Sequence, residues 1–182
     1  QRMTLEEKIA QIRNIHSWNI FEEQELNKSK LQEFVGDLCW GFVEGFPLTG
    51  ENCHRHMRHI QEYMLNHTRL GIPIFTVAEA LHGSVHEGST IYPQNIALAS
   101  TFNPELAYLR ATEISKELHY QGINQILAPC IDVVRDLRWG RIEESYGEDP
   151  YLNGIFAYKE AKGYLDNGIS PMLKHYGAHG NP

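Results

Sequence analysis

Short apolar runs alternate with amphipathic helical patterns along the chain, and this order restricts the fold more than any other feature. The apolar runs have the length of buried strands, and turn or cap residues bound them. They lie at 39–46, 72–77, 123–128 and 169–175. Because strands that alternate with helices form parallel sheets with right-handed crossovers, the sequence predicts an α/β fold.

The helices that accompany these strands have recognisable ends. Thr4 and Glu7 form a capping-box pattern that opens a first helix. In 51–68, apolar side chains recur along one helical stripe. Two further helices begin at a cap residue followed by proline and end at a glycine. They run from Asn103-Pro104 to Gly122 and from Asp149-Pro150 to Gly168.

Two parallel architectures fit this order, a doubly wound sheet and a (β/α)8 barrel. The sequence lacks the glycine-rich patterns G-x-G-x-x-G and G-x-x-x-x-G-K-[ST] that bind phosphates in nucleotide sites. Polar residues instead follow the strands, which is where barrels carry their active sites: Glu79, the segment 129–149 and Lys174-His175. We therefore predict a partial TIM-type barrel with about four β/α units.

A complete barrel needs about 250 residues, whereas the chain has 182. We expect residues 1–182 to be the N-terminal half of the barrel domain, with the remainder of the barrel and any second domain absent from the chain. Because a half-barrel leaves strand edges and an apolar face uncovered, self-association through open barrel edges is expected.

Charge and composition exclude several function classes. The net charge is −7 and no run of basic residues occurs, which argues against a nucleic-acid partner. No apolar stretch reaches the roughly 18 residues of a membrane span. The three cysteines do not form a disulfide framework. The segment with Cys53, His54, His56 and His59 argues only weakly for a metal site, because the spacing lacks a second ligand pair.

The polar residues after the strands are of the types that bind polyols. Glu79 can accept hydrogen bonds from hydroxyl pairs, and Arg141, Lys174 and His175 can donate them. Trp139 and Tyr146 are candidates for an aromatic wall against a sugar ring.

Each candidate has a structural alternative. Glu79 also fits a solvated loop acid, and Arg141 also fits a structural ion pair in a segment where acids and bases alternate. Asn103 also fits a helix cap. Lys174-His175 favours function, because a lysine that ends an apolar strand is rarely buried without a partner.

Five segments together resemble glycoside hydrolase family 3, in the order in which the family carries them. They are MTLEEKIAQI at 3–12, RLGIPIFTVAEALHG at 69–83, YPQNIALASTFNPEL at 92–106, RDLRWGRIEESYGEDPYL at 135–152 and LKHYGAHGNP at 173–182. The resemblance covers nearly the whole chain and implies a (β/α)8 first domain in a retaining exo-β-glycosidase.

By this resemblance, five residues bind substrate: Glu79, Asn103, Arg141, Lys174 and His175. The family's nucleophile lies well downstream of the Lys-His pair and its acid/base later still. No catalytic residue is therefore expected in this chain, which we expect to be inactive alone. The resemblance implies no cofactor and no metal.

The loop 176–182 departs from that of the N-acetylglucosaminidase branch and favours a β-glucosidase or β-xylosidase, without choosing between them. The expected partner is a glycoside or oligosaccharide, and the expected location is periplasmic or secreted. Two other functions stay open: a non-catalytic carbohydrate-binding protein of the same fold, and a metal-dependent hydrolase on the histidine-rich helix.

Overall fold

The computed structural model describes residues 2–45, 49–176 and 179–180. These residues group into two compact units. The described residues within 1–78, 86–88 and 120–124 form the first unit, and those within 79–85, 89–119 and 125–182 form the second. In both units parallel strands alternate with helices, which confirms the predicted α/β class.

The first unit is built on three parallel strands. Its elements are α1 (Leu5–Ala10), β1 (Asn14–His16), α2 (Ser17–Ile20), β2 (Phe21–Glu22), β3 (Glu25–Leu26), α3 (Lys28–Val35), β4 (Phe42–Glu44), α4 (Gly50–His67) and β5 (Phe75–Ala78). Strand β4 lies between β1 and β5, with Asn14 opposite Phe42 and Phe42 opposite Phe75. Strands β2 and β3 form a short antiparallel pair.

Local chemistry explains most of these boundaries. Thr4 caps α1 in the predicted capping box with Glu7. The predicted stripe of α4 is buried, and its members are Cys53, Met57, Ile60 and Met64. Gly122 ends the following α6 (Glu105–Gln121) with φ +77°, and an added Cβ there would lie 3.1 Å from the Met57 Cβ. Glycine therefore suits both the backbone and the space at this position.

The predicted strands at 39–46 and 72–77 appear as β4 and β5, although both are shorter than predicted. Residue 46 lies outside the described residues. The sequence patterns did not predict β1, the β2–β3 pair or α3. These elements are short or follow polar residues, so hydrophobic periodicity identifies them poorly.

The second unit contains α5 (Asn95–Ala99), most of α6, β6 (Gln125–Ile126), a 3-10 turn (Ile142–Glu144), α7 (Pro150–Asp166) and β7 (Ser170–Pro171). Asp149 caps α7, with Pro150 in the first turn as predicted, and Gly168 follows it with φ +75°. Strands β6 and β7 are parallel, with Gln125 opposite Ser170. The predicted strands at 123–128 and 169–175 are therefore present, with only two residues each in regular pairing.

The core of this unit packs α5 and α7 around one apolar cluster. Its members include Leu98, Ala107, Tyr146, Phe156 and Ala157, all of them buried. None of the described helices has the length and apolar character needed to cross a membrane.

Candidate functional site

The backbone beyond β6 and β7 brings two polar segments side by side. The Ile131 N–H donates to the Lys174 carbonyl at 2.7 Å, and the Lys174 N–H donates to the Pro129 carbonyl at 3.1 Å. Cys130 and Lys174 form the corresponding parallel bridge. The Ala128–Pro129 and Lys174–His175 peptide bonds are cis. This pairing places Asp132 next to His175.

His175 has a partner at each ring nitrogen. Its Nδ1 lies 2.7 Å from Asp132 Oδ2, and its Nε2 lies 3.3 Å from an Arg141 guanidinium nitrogen. Because a guanidinium only donates hydrogen bonds, Nε2 is the acceptor in that contact. Nδ1 therefore carries the ring proton and donates it to Asp132.

Asp132 is buried and accepts a second hydrogen bond, from the Cys130 thiol at 3.1 Å. Burial by itself raises the pKa of the Asp132 carboxyl, but the hydrogen bonds from His175 and Cys130 outweigh it, and the pKa falls below its usual value. Burial and the neighbouring carboxylate raise the pKa of the Cys130 thiol to about 12. At neutral pH the pair is thus a carboxylate and a thiol.

Arg141 is held by Glu144 through two parallel hydrogen bonds of 2.7 and 2.6 Å. Both residues lie at the 3-10 turn, three positions apart, so the pair is local. Burial raises the pKa of Glu144, but the hydrogen bonds and charge of Arg141 outweigh it, and the pKa is lowered. A paired guanidinium of this kind has a fixed orientation.

Lys174 and Glu79 form the remaining pair. The Lys174 Nζ lies 3.2 and 3.0 Å from the two Glu79 carboxylate oxygens. The lysine side chain is 11% exposed, whereas that of Glu79 is 45% exposed. A nearly buried ammonium thus faces a half-exposed carboxylate.

These groups offer both donors and acceptors within one cluster. Glu79 presents acceptor oxygens, while Lys174 and Arg141 retain N–H donors beyond their ion pairs. Such an alternation suits the vicinal hydroxyls of a sugar, which donate and accept together.

Four of the five predicted site residues lie in this network: Glu79, Arg141, Lys174 and His175. The structure places Asn103 at the start of α6, where its Oδ1 accepts from the Glu105 N–H at 3.2 Å. Asn103 therefore caps this turn, and its sugar contact stays a prediction.

The predicted aromatic wall is wrong in this structure. Tyr146 is 1% exposed and donates a hydrogen bond to Glu160 in the core, and Trp139 is 5% exposed against Cys130 and Val134. Neither ring has a free face for a sugar. Both lie in a segment rich in charged residues, and periodicity does not reveal which side chains of an irregular loop pack inward.

Sequence reasoning missed Asp132, Glu144 and Cys130. The three-residue spacing of Arg141 and Glu144 was a usable signal, because such pairs meet within one helical turn. Asp132 meets His175 across 43 positions, so only the tertiary structure reveals that contact.

Three of the described site residues are of types that can bind a metal. Cys130, Asp132 and His175 bring ligand atoms within 4.8 Å of one another. The thiol and the imidazole each hydrogen bond with the Asp132 carboxylate, so these groups have partners within the protein. Within the described ranges, the histidines of α4 do not converge on such a group. The predicted absence of a metal stays a prediction.

Comparison with known proteins identifies the family of this chain. Residues 4–182 match the family described as glycosyl hydrolase family 3, N-terminal domain. The chain belongs to this family. It is 32% identical to a putative β-xylosidase of Formosa agariphila, over 98% of this chain and 25% of the relative. It is 30% identical to a periplasmic β-glucosidase of Salmonella typhimurium, over 99% of this chain and 22% of the relative.

Solved β-glucosidase structures have the same fold over the length of this chain. A β-glucosidase from Erythrobacter marinus superposes with a TM-score of 0.85 at 28% identity, over 98% of this chain and 25% of the other. A Listeria innocua β-glucosidase in complex with laminaribiose superposes with a TM-score of 0.78 at 31% identity, over 98% and 26%. The sequence thus spans about a quarter of the length of these relatives, and its fold is that of their barrel domains.

Proposed function

We propose that this chain forms the sugar-binding part of a family 3 β-glycosidase that removes terminal β-linked glucose or xylose from oligosaccharides or glycosides. The observation that carries the proposal is the cluster in which the Glu79–Lys174 and Arg141–Glu144 pairs flank His175. In this cluster Glu79, Lys174 and Arg141 keep hydrogen-bonding capacity for a hydroxyl group beyond their ion pairs.

In this proposal the described residues bind the sugar and do not break the bond. Glu79 accepts from two hydroxyls, while Lys174 and Arg141 donate to hydroxyl oxygens. His175 accepts from Arg141 and so helps to orient that guanidinium, and both His175 and Asn103 are proposed as sugar contacts by family resemblance. The retaining mechanism needs a nucleophile and an acid/base about 5–5.5 Å apart. We propose that both lie outside these residues and that residues 1–182 are half of the barrel.

The names of two relatives support a β-glucoside or β-xyloside as the substrate. One is named a putative β-xylosidase and another a periplasmic β-glucosidase. One name refers to xylose and the other to glucose, and the sequence of the loop 176–182 did not choose between these two sugars. A periplasmic or secreted location is proposed on the same basis.

A hydrolysis assay tests the activity. The whole natural protein is tested with chromogenic β-glucoside, β-xyloside and N-acetyl-β-glucosaminide, and residues 1–182 are tested alone. We expect one of the first two substrates to be cleaved by the whole protein and none by residues 1–182. Cleavage of only the third would refute the proposed branch, and turnover by residues 1–182 would refute the absence of the catalytic pair.

A binding assay tests the residues. Lys174→Met and Glu79→Gln each remove one side of the pair, and we expect affinity for glucose or xylose to fall about ten-fold or more. Glu113→Gln is the control, because its carboxylate is exposed and pairs only with Lys116 in the described structure. Unchanged affinity in both site variants would contradict the proposed role.

A non-catalytic sugar-binding protein is the second candidate. It is favoured by the fact that Glu79, Asp132 and Glu144 are all held by a basic side chain or an imidazole. Sugar binding by the whole protein without hydrolysis of any of the three substrates would support it.

A further inference from the structure

Asn95 is buried, and both the oxygen and the nitrogen of its side-chain amide form hydrogen bonds. The residue is 1% exposed and begins α5. Its Oδ1 accepts from Arg110 at 2.5 Å, and its Nδ2 donates to the Glu144 carbonyl at 2.6 Å. Because a guanidinium only donates and a carbonyl only accepts, the amide has one possible orientation. Asn95 therefore links Arg110 directly to the main chain of the 3-10 turn.

Arg110 is itself fixed from several sides. Its guanidinium contacts Glu160 at 2.6 Å, and the two side chains are 3% and 0% exposed. It also donates to the Pro93 carbonyl at 2.8 Å, and Tyr146 donates to the same Glu160 carboxylate. A buried ion pair with this many partners has little freedom to move. It therefore provides a rigid anchor at the start of α5.

The other end of the link reaches the proposed sugar site. Glu144, whose carbonyl receives the Asn95 hydrogen bond, also holds Arg141 through its carboxylate. Arg141 in turn lies 3.3 Å from His175 Nε2. A continuous series of contacts thus joins the core ion pair to the guanidinium that faces His175.

We propose that Asn95 is a positioning residue for the sugar site, which fixes the 3-10 turn against the Arg110–Glu160 pair and thereby sets the orientation of Arg141. This inference rests on the proposed sugar-binding function. Asn95 does not touch the sugar. Without its amide, the Glu144 carbonyl loses its donor, the turn is no longer held, and the Arg141 guanidinium samples other orientations.

The test removes the Nδ2 donor of Asn95 with two variants, of which only Asn95→Asp keeps the shape of the side chain. Asn95→Asp puts a carboxylate oxygen opposite the Glu144 carbonyl, and Asn95→Ser removes the bridge without adding charge. Asn167→Asp is the matched control, because its amide also donates to a carbonyl, that of Gly163 at 2.7 Å, and joins α6 to α7 through Thr112. All variants are made in the whole natural protein.

Two readouts separate positioning from stability. Affinity for glucose and xylose is measured by calorimetry, and the Arg141 Nε–H signal is followed by NMR with labelled arginine, assigned by its loss in Arg141→Lys. We expect the Asn95 variants to bind the sugar that the wild type binds about ten-fold more weakly. We also expect them to shift the Arg141 signal, whereas Asn167→Asp leaves both unchanged. Urea unfolding reports the stability of every variant.

Three results would overturn the proposal: unchanged affinity and Arg141 signal in the Asn95 variants, equal effects in Asn167→Asp, or failure of both Asn95 variants to fold. The last would assign Asn95 to stability alone. If the wild type binds neither sugar, the proposed function fails by itself. The Arg141 signal then still decides whether Asn95 positions the guanidinium.

Discussion

At His175, one buried carboxylate decides which ring nitrogen faces the site. Asp132 accepts from Nδ1, so the Nε2 lone pair is left toward Arg141. A free histidine interconverts between its two neutral tautomers, and a fixed acceptor at one nitrogen selects between them. The hydrogen-bonding character of the site therefore depends on a residue that does not itself face the proposed sugar.

We predict that long-range proton–nitrogen NMR spectra at neutral pH will show His175 as the Nδ1–H tautomer. His119 is an internal control with the opposite geometry, because its Nε2 lies 2.6 Å from the Asn167 carbonyl and must donate there. Asp132→Asn should reduce the preference at His175 and leave His119 unchanged. An Nε2–H tautomer at wild-type His175 would contradict the hydrogen-bond assignment.

At the scale of elements, an ion pair stabilises a helix that is too short to be stable by itself. Helix α1 has six residues, too few for stability by itself. Its Glu7 carboxylate is nearly buried and accepts hydrogen bonds from Arg69, one of them at 2.6 Å, and from the Thr4 N–H at 2.7 Å. The same side chain therefore closes the capping box and attaches the helix to the rest of its unit.

The Glu7 pair predicts a specific dependence of stability on pH. Hydrogen bonds from Arg69, then from Thr4, lower the pKa of Glu7 from 4.5 to about 2. A carboxyl with a lowered folded-state pKa stabilises the protein above its unfolded pKa, and this contribution is lost as pH falls toward the folded one. Glu7→Gln should therefore reduce the free energy of unfolding at pH 7, and the difference from wild type should shrink between about pH 4.5 and 2.

Urea unfolding over this pH range measures the effect. Glu6→Gln is the control, because Glu6 lies in the same helical turn but is exposed. The prediction is wrong if the two glutamine variants have the same pH dependence.

The buried pair that joins α6 and α7 makes a second prediction at this scale. Glu160→Gln leaves the buried Arg110 charge without its counter-ion, which we expect to cost about 3–5 kcal/mol of unfolding free energy. Glu113→Gln breaks an exposed pair with Lys116 on α6 and should cost about 0–1 kcal/mol. Chemical denaturation measures both. Similar losses in the two variants would show that burial does not set the value of the Arg110–Glu160 pair.

At the scale of the whole molecule, large apolar side chains are exposed in both units. In the second unit, Phe102, Leu106 and Leu109 are partly or largely exposed. Next to them lies an apolar groove of about 360 Å³ between α5 and α6. In the first unit, among the described strands, β1 pairs with β4 alone. Exposed apolar patches and unpaired strand edges favour association with another chain.

We therefore predict that residues 1–182 by themselves form dimers or larger assemblies. Light scattering over a range of concentrations should show a mass that rises above that of one chain, and Leu109→Lys should lower it. Leu137→Lys is the comparison, because Leu137 is exposed in the loop segment 129–149. A constant single-chain mass at every concentration would contradict this prediction.

The sequence by itself determined the fold class, the main helices and the positions of the polar residues. Caps, prolines and glycines act on their neighbours, so Thr4, Asp149 and Gly122 could be assigned correctly without any distant contact. The polar residues after the predicted strands could be identified once the strands were predicted to be parallel, because parallel strands in a barrel place their carboxyl ends on one face.

The tertiary structure alone decided which partners those residues have. Asp132 meets His175 and Glu79 meets Lys174 across 43 and 95 positions of the chain. No local pattern encodes such a separation, since each contact depends on how distant segments of the chain are brought together. The tertiary structure also decided the burial of Trp139 and Tyr146, because whether an aromatic ring faces solvent or core depends on what packs against it.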